Sequence, residues 1–563
     1  MLTRHIGLVG IAALVLAAAG CGDDDSPGGG DGGAPLDSSV VRTDGSPPGT
    51  DGGVPPGTDA GPPGDAGPVV APSATCDSPA PLVDTSGAGA TVVGTGTPAS
   101  CTEAALRTAL AGAVSGNRVI RFDCGAAPHT ITVTSELVLD AWAEGFDGTV
   151  VIDGGGTVTL DGGGTSRILH IRSSFERDQP HVTLERLTFT RGFTTDVDNT
   201  MSTDQGGAAV YRLGGTLTII DSTFTDNQGP VTGQDVAGGA VYSIGVGLTT
   251  IVGSTFRNNR CASGGAIGCL HASLALVNST VDSSTATGNG GNPGNGGNGG
   301  GIYMDGVGNT ITLCGTRVTH NRGNAYGGGI FRVSNSGMPM TIVDRTTISD
   351  NEIVPDDFGL AGGAYLQGNV IEITASTFAR NRANGAGGIF LGPRSTMDMT
   401  NTTVASNVAK SGLGGGLFVQ DETTGTLLNC TLARNEAPGM VAFAGAIAGG
   451  GNLRLVNTIV AYSVAGNGWN PISCTRPQMD GGGNFQFPIM RSGGGSDSPD
   501  SMCAAGAMTT DPMIADLADN GGPTETILPL AGSAVLGAGS GCPAFDQRGM
   551  PRARCDSGAV SGP

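Results

Sequence analysis

The sequence predicts an all-β protein, a right-handed parallel β-helix with a short N-terminal cap helix and a C-terminal cap domain. Three observations predict this fold: the chain repeats from about residue 180, each repeat consists of short segments with alternating apolar residues, and two kinds of punctuation separate these segments. The repeats recur at intervals of about 25 to 37 residues, the range typical of solenoids. The 100 glycines among 563 residues therefore have a structural explanation at the turns between strands.

Residues 1–20 have the features of an export signal, with a basic residue at Arg4, an apolar run and small residues before Cys21. This arrangement resembles the signal of bacterial lipoproteins, and the resemblance implies cleavage before Cys21 and lipid attachment to it. Ala18 stands where that family usually has leucine, so ordinary signal-peptidase cleavage after Ala19 stays open.

Residues 21–75 are predicted to form a disordered spacer, because they are rich in Gly, Pro, Asp, Thr and Ser and have too few apolar residues to fold. A flexible chain of this length spans about 40 Å, enough to hold a domain away from a membrane. We therefore expect an N-terminal tether.

The charge and the cysteine content restrict the possible partners and the cellular compartment. The formal net charge is -21 and Lys410 is the only lysine, so the chain has no basic cluster for a nucleic-acid backbone. Twelve cysteines without a C-x-x-C metal pair indicate an oxidising compartment with disulfides.

The N-terminal end of the solenoid is predicted to carry the cap helix over residues 101–114. Cys101 follows Ser100 in a capping-box pattern, and Leu106, Leu110 and Val114 form one apolar stripe. The first coils follow, and the Asp-Gly-Gly-Gly runs at Asp153 and Asp161 are interpreted as turns because no helix start or phosphate-binding lysine follows them.

Two marks define the repeats. The first is a Gly-Gly-small-apolar step, which occurs at Gly206, Gly238, Gly264, Gly300, Gly328, Gly362, Gly387 and Gly415. The second ends in an asparagine, at Asn227, Asn259, Asn321, Asn351, Asn381, Asn407 and Asn435, with Ser284 replacing asparagine in one copy. Stacked coils would place these amides about 4.8 Å apart as a structural ladder. A ligand-binding row is the alternative interpretation. About ten coils are expected, roughly 45 to 50 Å long.

These alternating marks resemble the repeats of polymorphic outer-membrane proteins, surface β-helices implicated in adhesion, over about residues 200–440. The tail resembles the choice-of-anchor Q domain through the segments beginning at Asn520, Pro529, Cys542 and Cys555. That resemblance implies a surface β-helix protein and brings no catalytic residues. No sorting signal is recognised after Val560, which places the expected anchor at Cys21. We divide the folded body into a β-helix with its cap at 76–475 and a Q-like region at 476–563.

The cysteines suggest pairs by proximity: Cys542 with Cys555, Cys474 with Cys503, Cys101 with Cys124, and Cys261 with Cys269. Cys76, Cys314 and Cys430 remain, so at least one free thiol is expected. Spacing alone does not determine connectivity.

An active site has one candidate. In three consecutive coils the ladder is flanked by His320 and Arg322, then by Asp350 and Glu352, then by Arg380 and Arg382. The side chains are expected to form two outward columns, His-Asp-Arg and Arg-Glu-Arg, which suit a cross-strand ion-pair ladder. The alternative is an anionic-glycan or lyase site using Arg322, Asp350 and Arg382, with an acidic pair for Ca²⁺. Asp226 and Asp350, four coils or about 19 Å apart, are too distant to cooperate in hydrolysis.

Other features are interpreted as structural. The run Gly288 to Gly301 is predicted to be a flexible loop because it lacks the aspartates of a calcium repeat. Trp142 and Trp469 could stack on sugars, but core or edge cover is the preferred interpretation.

We therefore expect a lipid-anchored surface scaffold or adhesin at the bacterial outer membrane, with a glycan or cell-surface ligand and no cofactor, metal or nucleic acid. A secreted or periplasmic location, and a polysaccharide lyase or glycoside hydrolase, are the alternatives.

Overall fold

The computed structural model describes residues 75–562, apart from residues 88, 116–117, 144, 196–202, 291–294, 335, 337–338, 470 and 492–497. The predicted signal peptide, Cys21 and the spacer up to residue 74 lie outside these described residues.

One helix of 11 residues, Glu103–Ala113, closes the first coil, as predicted. The predicted capping box at Ser100 is wrong, because the helix begins two residues later and the Ser100 hydroxyl donates to the Thr97 carbonyl instead. Thr102 is its N-cap, and the Thr102 hydroxyl accepts a hydrogen bond from the backbone N–H of Ala105 at 3.2 Å. Leu106 and Leu110 are buried beneath the helix and line the apolar interior of the first coils. Short 3₁₀ turns occupy Pro98–Ser100 and Thr203–Gln205.

Most of the remaining structure is a stack of parallel coils. One coil shows the path: Met340–Asp344 and Thr347–Ser349 lie in a wide sheet A, Glu352–Ile353 lies in a narrow sheet C, and Ala364–Gln367 lies in sheet B before the next coil begins. Thr341 pairs with Ile371, the residue 30 positions later in the next coil. Sequence period and spatial register therefore coincide.

Sheet A has two rows. Its first row comprises Thr91–Val93, Val119–Phe122, Thr216–Ile220, Leu248–Val252, Ser273–Val277, Ile311–Cys314, Met340–Asp344, Val370–Thr374, Thr396–Thr400, Thr424–Leu428, Leu453–Val456 and Met479–Asp480. Its second row comprises His129–Thr132, Thr223–Thr225, Thr255–Arg257, Thr280–Asp282, Arg317–Thr319, Thr347–Ser349, Thr377–Ala379, Thr403–Ala405, Thr431–Ala433, Ile459–Ala461 and Phe485–Phe487. The long strands Thr149–Asp161 and His181–Thr190 extend through both rows.

The other two faces are smaller. Sheet B comprises Leu137–Asp140, Leu169–Arg172, Val210–Leu213, Val241–Ile244, Ile267–Leu270, Ile302–Asp305, Ile330–Val333, Ala364–Gln367, Ile389–Leu391, Leu417–Val419 and Ile447–Gly449. Sheet C comprises Arg260–Cys261, Thr285–Ala286, Arg322–Gly323, Glu352–Ile353, Arg382–Ala383, Val408–Ala409, Glu436–Ala437 and Val464–Ala465. An antiparallel pair, Met490–Arg491 with Ser498–Pro499, follows the last coil.

The described residues form about 13 turns, more than the ten predicted. The first coils lack both marks, and the last strands of sheet A, Met479–Asp480 and Phe485–Phe487, lie beyond residue 475. At about 4.8 Å per turn the stack is roughly 60 Å long.

The interior is a column of apolar side chains in register. Val318, Ile348, Phe378 and Val404 occupy equivalent positions in successive coils, and all four are fully buried. A second apolar row lies on the outer face of sheet B, where Tyr303, Phe331, Tyr365 and Phe390 stack with ring centroids 4.6 to 5.4 Å apart. Loop residues Tyr326 and Leu360 pack against this aromatic row.

Candidate functional site

The first predicted column is a set of ion pairs that extends beyond the β-helix. Asp350 and Arg380 pair across adjacent coils at 2.8 Å, and Arg380 also binds Glu525 of the C-terminal region at 2.8 Å. The hydrogen bond from Arg380 to Asp350, joined by the Glu525 contact, raises the pKa of the arginine further above its usual range. Arg380 therefore holds the tail against the coils.

His320 does not join that column as expected. Its Nδ1 lies 3.0 Å from Asp282 of the preceding coil, which also pairs with Arg257 at 3.0 Å. Burial opposes ionisation of Asp282, but hydrogen bonds led by His320 and the charge of Arg257 hold its pKa below the usual range. The two triads, Arg257–Asp282–His320 and Asp350–Arg380–Glu525, are separate.

The second column is in register as predicted. Arg322, Glu352 and Arg382 are direct partners on adjacent strands of sheet C. Glu352 binds Lys410 at 3.2 Å and lies 4.0 Å from Arg382. Arg380 contacts Asp350 and Lys410 contacts Glu352, and these are the two carboxylates of the possible Ca²⁺ site. This arrangement therefore suits an ion-pair ladder.

The seven asparagines form a buried ladder in two runs, Asn227 to Asn259 and Asn321 to Asn435, with Ser284 between them. The Nδ2 of Asn351 donates to the Oδ1 of Asn381 at 3.0 Å and to the carbonyl of Val318 at 2.9 Å, while its Oδ1 accepts from Asn321. Asn227 and Asn407 repeat both donor bonds, whereas Asn259 and Asn435, which have no asparagine in the following coil, donate only to a backbone carbonyl. Because both amide atoms of each asparagine are hydrogen-bonded and the side chains are buried, the row suits a structural ladder rather than a ligand-binding row.

A parallel hydroxyl ladder was missed by sequence reasoning. At the corner between the two rows of sheet A, the backbone N–H of Ser222 donates a hydrogen bond to the Oγ of Ser254 at 3.1 Å. Further along the stack, the backbone N–H of Thr346 donates to the Oγ of Ser376 at 3.1 Å and continues this ladder. The sequence signal is a Ser or Thr just before many of the second-row strands, as at Ser222, Ser254, Thr346 and Ser376.

Four disulfides link described cysteines: Cys101–Cys124, Cys474–Cys503, Cys542–Cys555 and Cys76–Cys314. The first three are the pairs suggested by proximity. The pairing of Cys261 with Cys269 is wrong, because both thiols are free and buried at different coil positions, as is Cys430. Burial raises the pKa of each of these three thiols to about 12, which opposes nucleophilic chemistry.

A carboxyl pair that the sequence did not reveal lies at the outer face of sheet B. The hydroxyl of Tyr303 lies 2.8 Å from Asp235 Oδ1 and 3.4 Å from Asp305 Oδ2. Burial raises the pKa of Asp305, and the neighbouring charge of Asp235 adds to the increase. Asp235 lies 70 residues earlier in a loop, so no local pattern could have joined the two carboxyl groups.

A second such cluster lies near the N-terminal end. Glu136 pairs with Arg167 at 2.6 Å and with His170 at 3.0 Å, and Arg167 lies over the ring of Tyr211. Burial opposes the ionisation of Glu136, yet His170 and Arg167 lower its pKa to about 2. The carboxylate is therefore held ionised by its two partners.

Several tail residues carrying the Q-like resemblance contact the coils or the buried structure of the tail itself. Gln547 donates to the Ser376 carbonyl at 3.0 Å and accepts from Thr403 at 2.6 Å. Asp546 and Asp556 are buried beside Arg548 and Arg554 at 2.7 Å. Gln547 therefore docks the tail onto sheet A, whereas the two ion pairs lie within the tail.

The tryptophans are exposed, contrary to the preferred expectation of core or edge cover: Trp142 has 53% and Trp469 has 72% of its surface accessible. Part of the Gly288 to Gly301 run is hydrogen-bonded rather than loose, since Gly297 N–H donates to the Ala262 carbonyl at 2.7 Å and the Gly297 carbonyl accepts from Ala325.

Cys76, Cys314 and Asp344 lie close enough together to suggest a metal site, but the two cysteines form a disulfide. Within the described ranges, no helix is both long and apolar enough to cross a membrane.

Comparison with known proteins gives one match. Residues 296–468 match the family described as right handed beta helix region. The fold is a right-handed parallel β-helix. The match covers the coils that contain the ladder residues from Asn321 to Asn435 and the paired glycines from Gly300 to Gly415, and together with the solenoid it confirms the predicted fold class. Neither the curated proteins nor the solved structures gave a match.

Proposed function

We propose that this β-helix is an exported, lipid-anchored envelope protein that acts as a non-enzymatic scaffold or adhesin, binding glycans or other surfaces. The observation that carries the proposal is that the polar groups of the candidate site are paired with one another. Asp350 is paired with Arg380, Arg380 also binds Glu525 of the tail, Glu352 is paired with Lys410, and the asparagine row is internally bonded. Such an arrangement supports a rigid surface for display rather than chemistry.

An exposed apolar patch near the C-terminal coils is the contact surface we propose. It consists of Met440, Val441, Val464 and Trp469, which are 90%, 73%, 49% and 72% exposed. A hydrogen bond from Asn467 N–H to the Ala442 carbonyl at 3.2 Å joins its two loops. Exposed apolar clusters of this kind mark interaction sites, and the flat indole provides an apolar face with a polar edge for a sugar ring.

A glycan array probed with the protein tests this surface. Trp469→Ala should weaken binding at least tenfold, whereas Trp142→Ala, which alters the other exposed tryptophan, should leave it unchanged. Equal binding by the parent protein and Trp469→Ala would contradict the proposed patch.

The anchor is tested separately through Cys21. Palmitate labelling in a bacterial host should be present in the parent protein and absent in Cys21→Ala. Labelling that persists in Cys21→Ala means that the anchor assignment is wrong, and a protein released without labelling supports secretion.

A polysaccharide lyase or hydrolase is the second candidate, favoured by Asp235 and Asp305. Their oxygens on either side of the Tyr303 hydroxyl are at most about 6 Å apart, within the general separation of glycosidase carboxyl pairs. Product formation on acidic and neutral polysaccharides, lost in Asp305→Asn, would support hydrolysis. Loss in Arg322→Ala, Asp350→Ala or Arg382→Ala instead would support a site at the two columns that flank the asparagine ladder.

A further inference from the structure

The N-terminal segment from Thr75 to Thr85 lies as a strap along the outside of sheet A. From Thr75 to Thr85 the strap contacts progressively earlier coils. Arg345 donates to the Thr75 carbonyl at 3.2 Å, Val83 N–H donates to Glu185 at 2.9 Å, and Thr85 donates to Asp153 at 2.5 Å. The residues contacted at the two ends are about six coils apart in register, or about 29 Å. Ten residues reach about 33 Å when extended, so the strap is nearly straight.

The strap is fastened most firmly at its outer end. Cys76 forms a disulfide with Cys314, 238 residues later. The amide of Asn278 binds the same residue twice, accepting from Cys76 N–H at 3.1 Å and donating to its carbonyl at 2.8 Å. Val252 and Val277 pack beside the disulfide. The described chain therefore begins beside a central coil and not beside the cap helix.

The C-terminal tail occupies the rest of the same edge. Thr524 donates to the Ala375 carbonyl at 3.3 Å, and Asn401, Asn429 and Asn457 donate to tail carbonyls at 2.8 to 2.9 Å. Arg345, at the outer end of the strap, and Ala375, at the start of the tail contacts, are at corners of neighbouring coils. Both terminal segments thus approach the stack at its centre.

We infer that Cys76–Cys314 is a load-bearing staple that passes tension on the N-terminal tether directly into the central coil of Cys314, bypassing the cap helix and all coils before it. The residues between the two cysteines are enclosed in a covalent loop, so a pull on the tether cannot extend them. This inference rests on the proposed function only in supposing that the tether is anchored, and the mechanical test does not require the anchor.

Single-molecule stretching of the full chain carrying Cys21→Ser, with handles at its two ends, tests the inference. Under oxidising conditions the coils before Cys314 should remain folded. The double variant Cys76→Ser, Cys314→Ser should release roughly 750 Å more contour length, at about 3.5 Å per residue, after allowing for the enclosed Cys101–Cys124 loop.

The matched control is Cys101→Ser with Cys124→Ser, because that disulfide lies wholly inside the shielded loop. Its contour length should equal that of the parent protein. Equal lengths for the parent protein and the Cys76/Cys314 variant, or a longer extension in the control, would overturn the inference. If the Cys76/Cys314 variant does not fold, the parent protein alone decides: its full extension under oxidising conditions must fall short by the residues between Cys76 and Cys314, and an extension that includes them contradicts the staple. Palmitate labelling of Cys21 is a separate readout, so failure of the anchor and failure of the staple are distinguishable.

Discussion

The asparagine ladder shows how one residue type, repeated at a coil period, becomes a continuous polar spine. Within the run from Asn321 to Asn435, each amide oxygen after the first accepts from the amide of the preceding coil, which satisfies buried groups that would otherwise cost about 1 to 3 kcal/mol each. Ser284 interrupts the row, but its N–H still donates to Asn321 at 3.0 Å. The ladder therefore tolerates one shorter member.

Asn351→Ala should destabilise the protein by at least about 2 kcal/mol, because it removes the buried hydrogen bonds that the Asn351 amide makes with the Val318 carbonyl, with Asn381 and with Asn321. Urea unfolding followed by circular dichroism measures the change. Asn452→Ala is the control, since its exposed amide makes a surface bond to Asp421, and a change below about 0.5 kcal/mol is expected there. Similar effects of the two substitutions would remove the ladder as a source of stability.

Glu185 is fully buried under the strap, next to Asp153 on the adjacent coil. Burial raises the pKa of Glu185, and the Asp153 charge adds to the increase, although the bond from Val83 N–H partly offsets it. A folded-state pKa above the unfolded value means that the protonated form favours folding at low pH. That contribution is lost as pH rises through the folded-state pKa.

Glu185→Gln should therefore increase stability at neutral pH and have little effect in acid, because glutamine keeps the acceptor for Val83 without the charge. Urea unfolding of both proteins between about pH 4 and pH 8 measures this difference. A difference that shrinks with rising pH would show the opposite sign and contradict the assignment.

At the scale of the element, the corners depend on two distinct backbone requirements. The sequence predicts glycine at the turns between strands, but His320, Asp350 and Arg380 adopt φ of 55 to 59°, the region that favours glycine, just before the buried asparagines. That expectation is wrong at this corner: the ladder bonds made by the next residue hold the turn, and the outward side chain remains free to pair. In the paired-glycine mark, Gly300 is required by close approach, since a Cβ there would overlap the Gly328 carbonyl of the next coil.

The tail is an element whose docking depends on Gln547. Gln547→Ala removes donors to Ser376, Thr377 and Thr524 and an acceptor for Thr403. Limited proteolysis of the folded protein should then cleave the region after residue 510 several-fold faster. Gln420→Ala is the control and should leave the rate unchanged. Gln420 is half-buried and directly follows the sheet B strand Leu417–Val419. An unchanged rate in Gln547→Ala would mean that other contacts dock the tail.

At the scale of the whole molecule, a solenoid must cover its ends, and the cap helix does so at the first coil. Leu106 and Leu110 lie over an apolar interior that includes Leu137 and Ile152. Without this cover, open strands and apolar side chains would be available to other chains.

Leu110→Asp should lower the unfolding temperature and cause concentration-dependent end-to-end association, measured by light scattering after size-exclusion chromatography. Thr108→Asp, on the exposed side of the same helix, should remain like the parent protein. Association of both variants would point to surface charge rather than to loss of the cap.

The sequence by itself determined the fold class, the cap helix, the coil register and the asparagine ladder. In a parallel solenoid, equivalent residues one period apart become neighbours, so spacing along the chain translates directly into contact. Tertiary structure alone decided that Cys76 meets Cys314, that His320 turns to Asp282, that Asp235 meets Asp305, and that the tail covers the edge left open by the strap. These contacts join segments outside the repeat, or loops of unequal length. Their partners are therefore set by how the chain crosses the finished coils, which no local period encodes.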